Sequence, residues 1–141
     1  MSLDRIFGMA GSALNAQTVR MNTTASNLAN AGSVAGTEAE AFRAKRPVFK
    51  ALLDESMTTA GAPVVGGVKI DGIVDDQTPV QKVHQPGNPM ADADGFVYKS
   101  NVSEVGEMVE MMAAARSYQN NVEVINTARQ LLLKTLEISK A

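Results

Sequence analysis

From residue 101 onward, apolar side chains recur at alternating steps of three and four: Met108, Met111, Ala115, Tyr118, Val122, Ile125, Leu132 and Leu136, with Arg129 the one interruption. That period belongs to an α-helix and to no strand. It predicts a helix of about 36 residues, longer than ordinary globular helices, which argues for a coiled coil or bundle. Asn101, with Glu104 three residues on, reads as the N-cap of a capping box. Glu104, Glu107 and Glu110 stand early and Lys134 and Lys140 late, as the helix dipole favours. Val105, Val109, Met112, Ala128 and Leu131 widen the apolar surface beyond a narrow seam, as a helix with several neighbours needs.

The other end carries a matching pattern. Phe7, Leu14, Met21 and Leu28 are seven residues apart, and Leu3, Ala10, Gln17 and Thr24 form a companion series. Together they predict a helix of about 26 residues, close to 40 Å long. Ala10 is small and Gln17 and Thr24 are polar, so this seam holds a lone helix pair weakly while polar positions can set register. Asn27, Asn30 and Gly32 read as the helix end, because Asn and Gly accept the left-handed conformation. Between the ends, Gly, Pro, Asp and Asn punctuate residues 31–100. Short apolar runs at 48–53, 68–74, 80–84 and 96–99 read as strands, and residues 57–67 as a Gly/Ala/Thr-rich loop. The expected fold class is α+β: long N- and C-terminal helices packed as an antiparallel coiled-coil pair around a small β-rich inserted region. The expected division is 1–32, 33–100 and 101–141.

Composition narrows the function. With no Trp, four Phe and two Tyr, no large aromatic core forms. With no Cys, disulfides, cysteine metal sites and thiol catalysis are excluded. A net charge of −2 creates no field that collects nucleic acid. No apolar run reaches membrane-spanning length. Residues 1–14 imitate a signal peptide only faintly, since Asp4 sits in the basic region and Gly8, Gly11 and Ser12 interrupt the apolar one, so no cleaved signal is expected. Asp92, Asp94 and Gly95 suggest calcium, but the spacing puts Met90 and Asn101 at ligand positions, and a tight turn explains the residues fully. His84 stands alone as histidine, and Asp75-Asp76 would point to opposite strand faces. No catalytic constellation, cofactor site or small-molecule site is found. Arg43, Lys45 and Arg46 read as a solvated basic run, and Met108, Met111 and Met112 as a soft cluster for core filling or adaptable contact.

Several motifs occur together and in order. Thr24-Ala25-Ser26-Asn27-Leu28-Ala29-Asn30 resembles the segment that closes the first helix of flagellar rod and hook proteins. Ser100-Asn101-Val102, Glu107-Met108-Val109, Ala115-Arg116-Ser117-Tyr118-Gln119 and Val122-Glu123-Val124-Ile125-Asn126-Thr127-Ala128 resemble their C-terminal helix. Arg43-Ala44-Lys45, Gly66-Gly67-Val68 and Pro86-Gly87-Asn88-Pro89-Met90-Ala91-Asp92 are similar to the middle of the proximal-rod members. The likeness covers nearly the whole chain. Residues 37–41 depart from it, standing where the family often has a Pro/Gly-containing turn.

The resemblance implies a structural, non-enzymatic subunit of the basal-body rod that crosses the periplasm, with terminal helices forming the wall of a tube. Its partners would be copies of itself, other rod proteins, the rod-base junction protein and the flagellar export apparatus, which releases it without signal cleavage. Another axial protein or a soluble coiled-coil binding module is the alternative. The expected assembly interface is Phe7, Leu14, Met21, Leu28, Met108, Met111, Tyr118, Val122, Ile125, Leu132 and Leu136. Gln17, Asn27, Asn30, Asn126 and Arg129 would set register or helix ends.

Overall fold

The computed structural model describes residues 3–59 and 62–140. Helix α1 spans Leu3–Ala29. Strand β1 is Val34–Ala35, β2 is Lys45–Thr59, β3 is Ala62–Asp75, β4 is Gln81–His84 and β5 is Phe96–Lys99. Helix α2 spans Glu104–Lys140. The architecture is α+β: two long terminal helices and a small antiparallel sheet region. The chain divides into two compact units, one of Met1–Val19, Val48–Gly72 and Ala113–Ala141, the other of Arg20–Pro47 and Ile73–Met112.

In the second unit, β1, β5 and β4 form an antiparallel sheet in that order. Val83 lies opposite Val97, which is fully buried. Lys82 opposite Tyr98 and His84 opposite Phe96 take the other face, as strand alternation requires. There the Lys82 ammonium stands 4.3 Å from the centre of the Phe96 ring, and the His84 ring packs 4.9 Å from it. His84 is thus an aromatic neighbour on an exposed face. The turn before β5 is held by Asp92, whose Oδ1 accepts from the amides of Asp94 (3.0 Å) and Phe96 (2.8 Å). Gly95 at φ +79° closes it, in the left-handed region open to glycine. Residues 38–40 make a turn without Pro or Gly, with Thr37 Oγ1 donating to Glu40 at 3.0 Å.

The same unit is tied together by buried polar groups. Asn27 is fully buried. Its Oδ1 accepts from the Lys45 amide (2.8 Å), and its Nδ2 donates to the Lys45 carbonyl (2.9 Å) and to Glu107 Oε2 (3.0 Å). Glu107, also buried, takes Arg46 Nη1 on its other oxygen at 2.7 Å. Arg20 of α1 adds an ion pair with Glu110 through Nε (3.2 Å) and Nη2. Because Arg20 meets Glu110 and Asn27 meets Glu107, α1 runs antiparallel to α2 here. Asn27 therefore lies inside α1 and staples it to β2 and α2. The end of α1 is made by Asn30, whose Nδ2 donates to the Ser26 carbonyl at 2.8 Å.

Asn101 is not the N-cap of α2. Its Oδ1 accepts from the Ala44 amide (2.7 Å), and its Nδ2 donates to the carbonyls of Asp76 (3.2 Å) and Thr78 (2.8 Å). The cap is Ser103, whose Oγ accepts from the Gly106 amide at 3.2 Å. Both residues are good caps by type, and tertiary demand for Asn101 moves the helix start to Glu104.

In the first unit, Ile6, Ala10 and Ala13 of α1 line a groove together with Asn121 and Val124 of α2. Among the described residues of this unit, the buried ones are small: Ala10, Ala16, Ala114 and Ala128. Residues 57–67 are not a single loop. Strand β2 runs to Thr59 and β3 begins at Ala62, while residues 60–61 lie outside the described residues. Gly67 shows why glycine is needed there. At φ +149°, a Cβ would sit 2.6 Å from Ser12 Oγ, which donates to the Met9 carbonyl (2.7 Å) and accepts from the Val68 amide (3.2 Å). The glycine lets β3 lie directly on α1.

Two predictions follow from the second unit. Asn27→Ala leaves the Lys45 amide and carbonyl and one Glu107 oxygen without partners, so it should destabilise the unit by about 2–4 kcal/mol. Urea unfolding with exchange of the Lys45 amide measures this, and a loss under about 0.5 kcal/mol contradicts it. Asp76 titrates below its ordinary value of 3.8, chiefly through the Thr78 hydroxyl, then the Thr78 amide and Arg46, against the opposing push of desolvation. Its stabilisation is complete above the unfolded carboxyl's value and is lost as the pH falls through the lower folded value. Asp76→Asn should flatten the acid limb of the stability curve below pH 3.8. Equal acid limbs in urea titrations of variant and parent would contradict it.

Candidate assembly interface

Helix α2 leaves many of its large apolar residues exposed. In the second unit Val105, Met108, Val109 and Met112 are 73, 52, 55 and 63% exposed. In the first unit Leu131, Leu132, Leu133, Leu136 and Ile138 are exposed, Ile138 by 78%. A chain folding for itself would turn such residues inward, since each fully buried Leu, Ile or Met contributes about 1.5–3 kcal/mol. The helix instead contributes Glu107 to the second unit's interior and Ala114 and Ala128 to the first unit's. Each lies one residue before its counterpart in the sequence stripe: Met108, Ala115 and Arg129. One residue is a rotation of about 100°, so the stripe flanks the contact with α1.

Helix α1 shows the same division. Phe7, Leu14, Met21 and Leu28 are half-buried, while Ala10 and Thr24 of the weaker companion series are buried. The physical reason is approach distance: small side chains let two backbones come close, and bulky ones stand to the sides. On α2, Met111, Tyr118, Val122 and Ile125 are half-buried, and Leu132, Leu136, Asn126 and Arg129 are exposed. Gln17 places Oε1 in a buried position with no hydrogen-bond partner among the described residues. Beside α1 and α2 in the first unit runs a groove of about 390 Å³, lined by Ile6, Asn120, Val124, Thr127, Ala128 and Leu131.

The basic run of Arg43, Lys45 and Arg46 is paired within the chain. Arg43 meets Glu38 at 3.3 Å, Lys45 meets Asp75 at 3.4 Å, and Arg46 meets both Asp76 at 3.4 Å and Glu107 at 2.7 Å. Sequence reading missed these partners. Glu107 looked like an ordinary first-turn acid, and Arg20 carried no signal beyond its charge. Among the described residues, no group of three or more His, Asp or Glu is placed to hold a metal ion. No described helix is long and apolar enough to cross a membrane.

Known proteins share this pattern across its length. The flagella basal body rod protein family matches residues 8–36, and the flagellar basal body rod FlgEFG protein C-terminal family matches residues 93–138. Those spans cover most of α1 and nearly all of α2. The flagellar basal-body rod protein FlgC of Salmonella typhimurium is 48% identical over 140 residues, covering 99% of this chain and 100% of the relative. The FlgC of Escherichia coli O6:H1 is 49% identical over the same coverage. The FlgC of Bacillus subtilis is 34% identical over 143 residues, covering 94% of this chain and 95% of the relative. With helices, hairpin and turns all inside that shared length, the chain belongs to the FlgC family and is a structural subunit of the flagellar basal-body rod.

Proposed function

We propose that the subunit assembles through its terminal helices into a torque-transmitting tube, with the outward faces of α1 and α2 buried against neighbouring subunits. The observation that supports this most is the set of large apolar side chains that α2 leaves exposed. In an assembly each gains partners on several sides, and burial becomes the driving force. Phe7, Leu14, Met21, Leu28, Met108, Met111, Tyr118, Val122, Ile125, Leu132 and Leu136 form this interface in our reading. Gln17, Asn126 and Arg129 set register, since an unpartnered buried acceptor and two polar groups among apolar neighbours favour the one alignment that satisfies them. The neighbours are copies of the chain, other rod proteins and the rod-base junction protein. The subunit reaches them through the export apparatus, without signal cleavage, and stands where the rod crosses the periplasm. The role is mechanical and not enzymatic: transmitting torque needs stiff, well-packed helices and no proton transfer.

Leu132→Asp tests the reading. Leu132 is 36% exposed in the single chain, so a carboxylate there is solvated before assembly and desolvated after it. Burying it unpaired costs several kcal/mol even after relaxation. In cells lacking the native subunit, the variant should be made with its sheet region folded and should build no rods. Normal rods in isolated basal bodies would contradict the reading.

A further inference from the structure

The thioethers of α2 have a chemistry that packing does not use. In the second unit Met108 is 52% and Met112 63% exposed, beside exposed Val105 and Val109, while Met111 between them is half-buried. Residues that filled a core on this helix would be covered, as Glu107 is at 1% exposure. A thioether needs no deprotonation to react with peroxides, so access to the sulfur controls its oxidation. These two side chains are therefore largely open in the free chain. They also lie on the face that the proposed function buries, and the inference rests on that reading.

We infer that Met108 and Met112 form an oxidation-sensitive site, at which a hydroperoxide marks the unassembled subunit and bars it from the rod. A sulfur lone pair attacks one peroxide oxygen, the O–O bond breaks, and a sulfur–oxygen bond forms. With hydrogen peroxide, the second oxygen keeps its hydrogen, takes the transferred proton and leaves as water. The sulfur is oxidised by two electrons and the peroxide is reduced by two. The product is a polar sulfoxide in place of a flexible apolar side chain. Val105 and Val109 offer it no side-chain donor, so an apolar neighbour docking here would bury an unsatisfied oxygen. Once the subunit is assembled, the same face is covered and the sulfurs are protected. Damaged subunits are then excluded while finished rods are spared.

The test is a hydrogen peroxide pulse to growing cells, followed by peptide mass spectrometry of the subunit in isolated basal bodies and in the unassembled pool. Sulfoxide at residues 108 and 112 should be enriched several-fold in the unassembled pool, and basal bodies already built should stay unoxidised at both sites. Met108→Leu with Met112→Leu keeps the apolar volume. Scored against its own unpulsed cells, this variant should lose far fewer rods to the pulse than the parent loses against its own, by several-fold. Equal sulfoxide occupancy in rods and pool overturns the inference, as does equal loss of rods in the Leu pair and the parent. Met108→Asp with Met112→Asp separates this from the underlying reading. If that pair builds normal rods, the face is no interface and both fall. If the Asp pair blocks assembly while sulfoxide enters rods freely, the oxidation site alone falls.

Discussion

A buried carboxylate must be paired, and much of the second unit is arranged to pair Glu107. Its two oxygens are met from two different elements: Asn27 from α1 and Arg46 from β2. An unpaired buried charge would cost several kcal/mol, so the carboxylate acts as a geometric constraint on both partners. Asn27 then carries the constraint to the backbone of Lys45, fixing the start of β2 by donor and acceptor at once. Arg46 carries it to Asp76, the residue that follows β3, the strand paired with β2. Asn101 completes the enclosure by holding the Ala44 amide and the Asp76 and Thr78 carbonyls. Each member uses several of its hydrogen-bonding atoms, so single losses should propagate.

Pairing by polar groups in one unit and by alanines in the other leaves the bulky apolar residues without a place inside. Ala10, Ala16, Ala114 and Ala128 occupy the interior where a self-sufficient helical pair would carry Leu. The Leu, Met and Val residues of α2 are displaced to the flanks. For a monomer this is a solubility hazard. For a subunit that packs among similar helices, as we propose, it is the arrangement that would give each helix several faces to bury. The division between interior and flank is thus where fold passes into function.

The existence and type of the long elements were legible in the sequence because periods of three and four over many turns have one structural meaning. Strands β4 and β5 were legible from alternation and from the turn residues around Asp92 and Gly95. What was not legible depended on contacts distant in sequence. Asn101 and Ser103 are both good caps, and only the demand of Ala44, Asp76 and Thr78 for Asn101 decides between them. The Gly/Ala/Thr-rich residues 57–67 looked like a loop because Gly67 lacks strand propensity, but its value lies in close approach to Ser12. Strand β1 has two residues, too few to leave a pattern. The α2 stripe is apolar by composition, yet periodicity cannot say which flank of a wide face meets α1.

The outward face of α2 is solvent-exposed in the free subunit, and in our proposal the rod covers it. The chain has no Cys, so a single Val109→Cys places one reporter thiol on that face. Labelling with a bulky maleimide, on the purified chain and on intact basal bodies, measures its accessibility directly. The free chain should label rapidly, and basal bodies should be protected until they are dissociated. Equal labelling of free and assembled subunits would contradict the proposal.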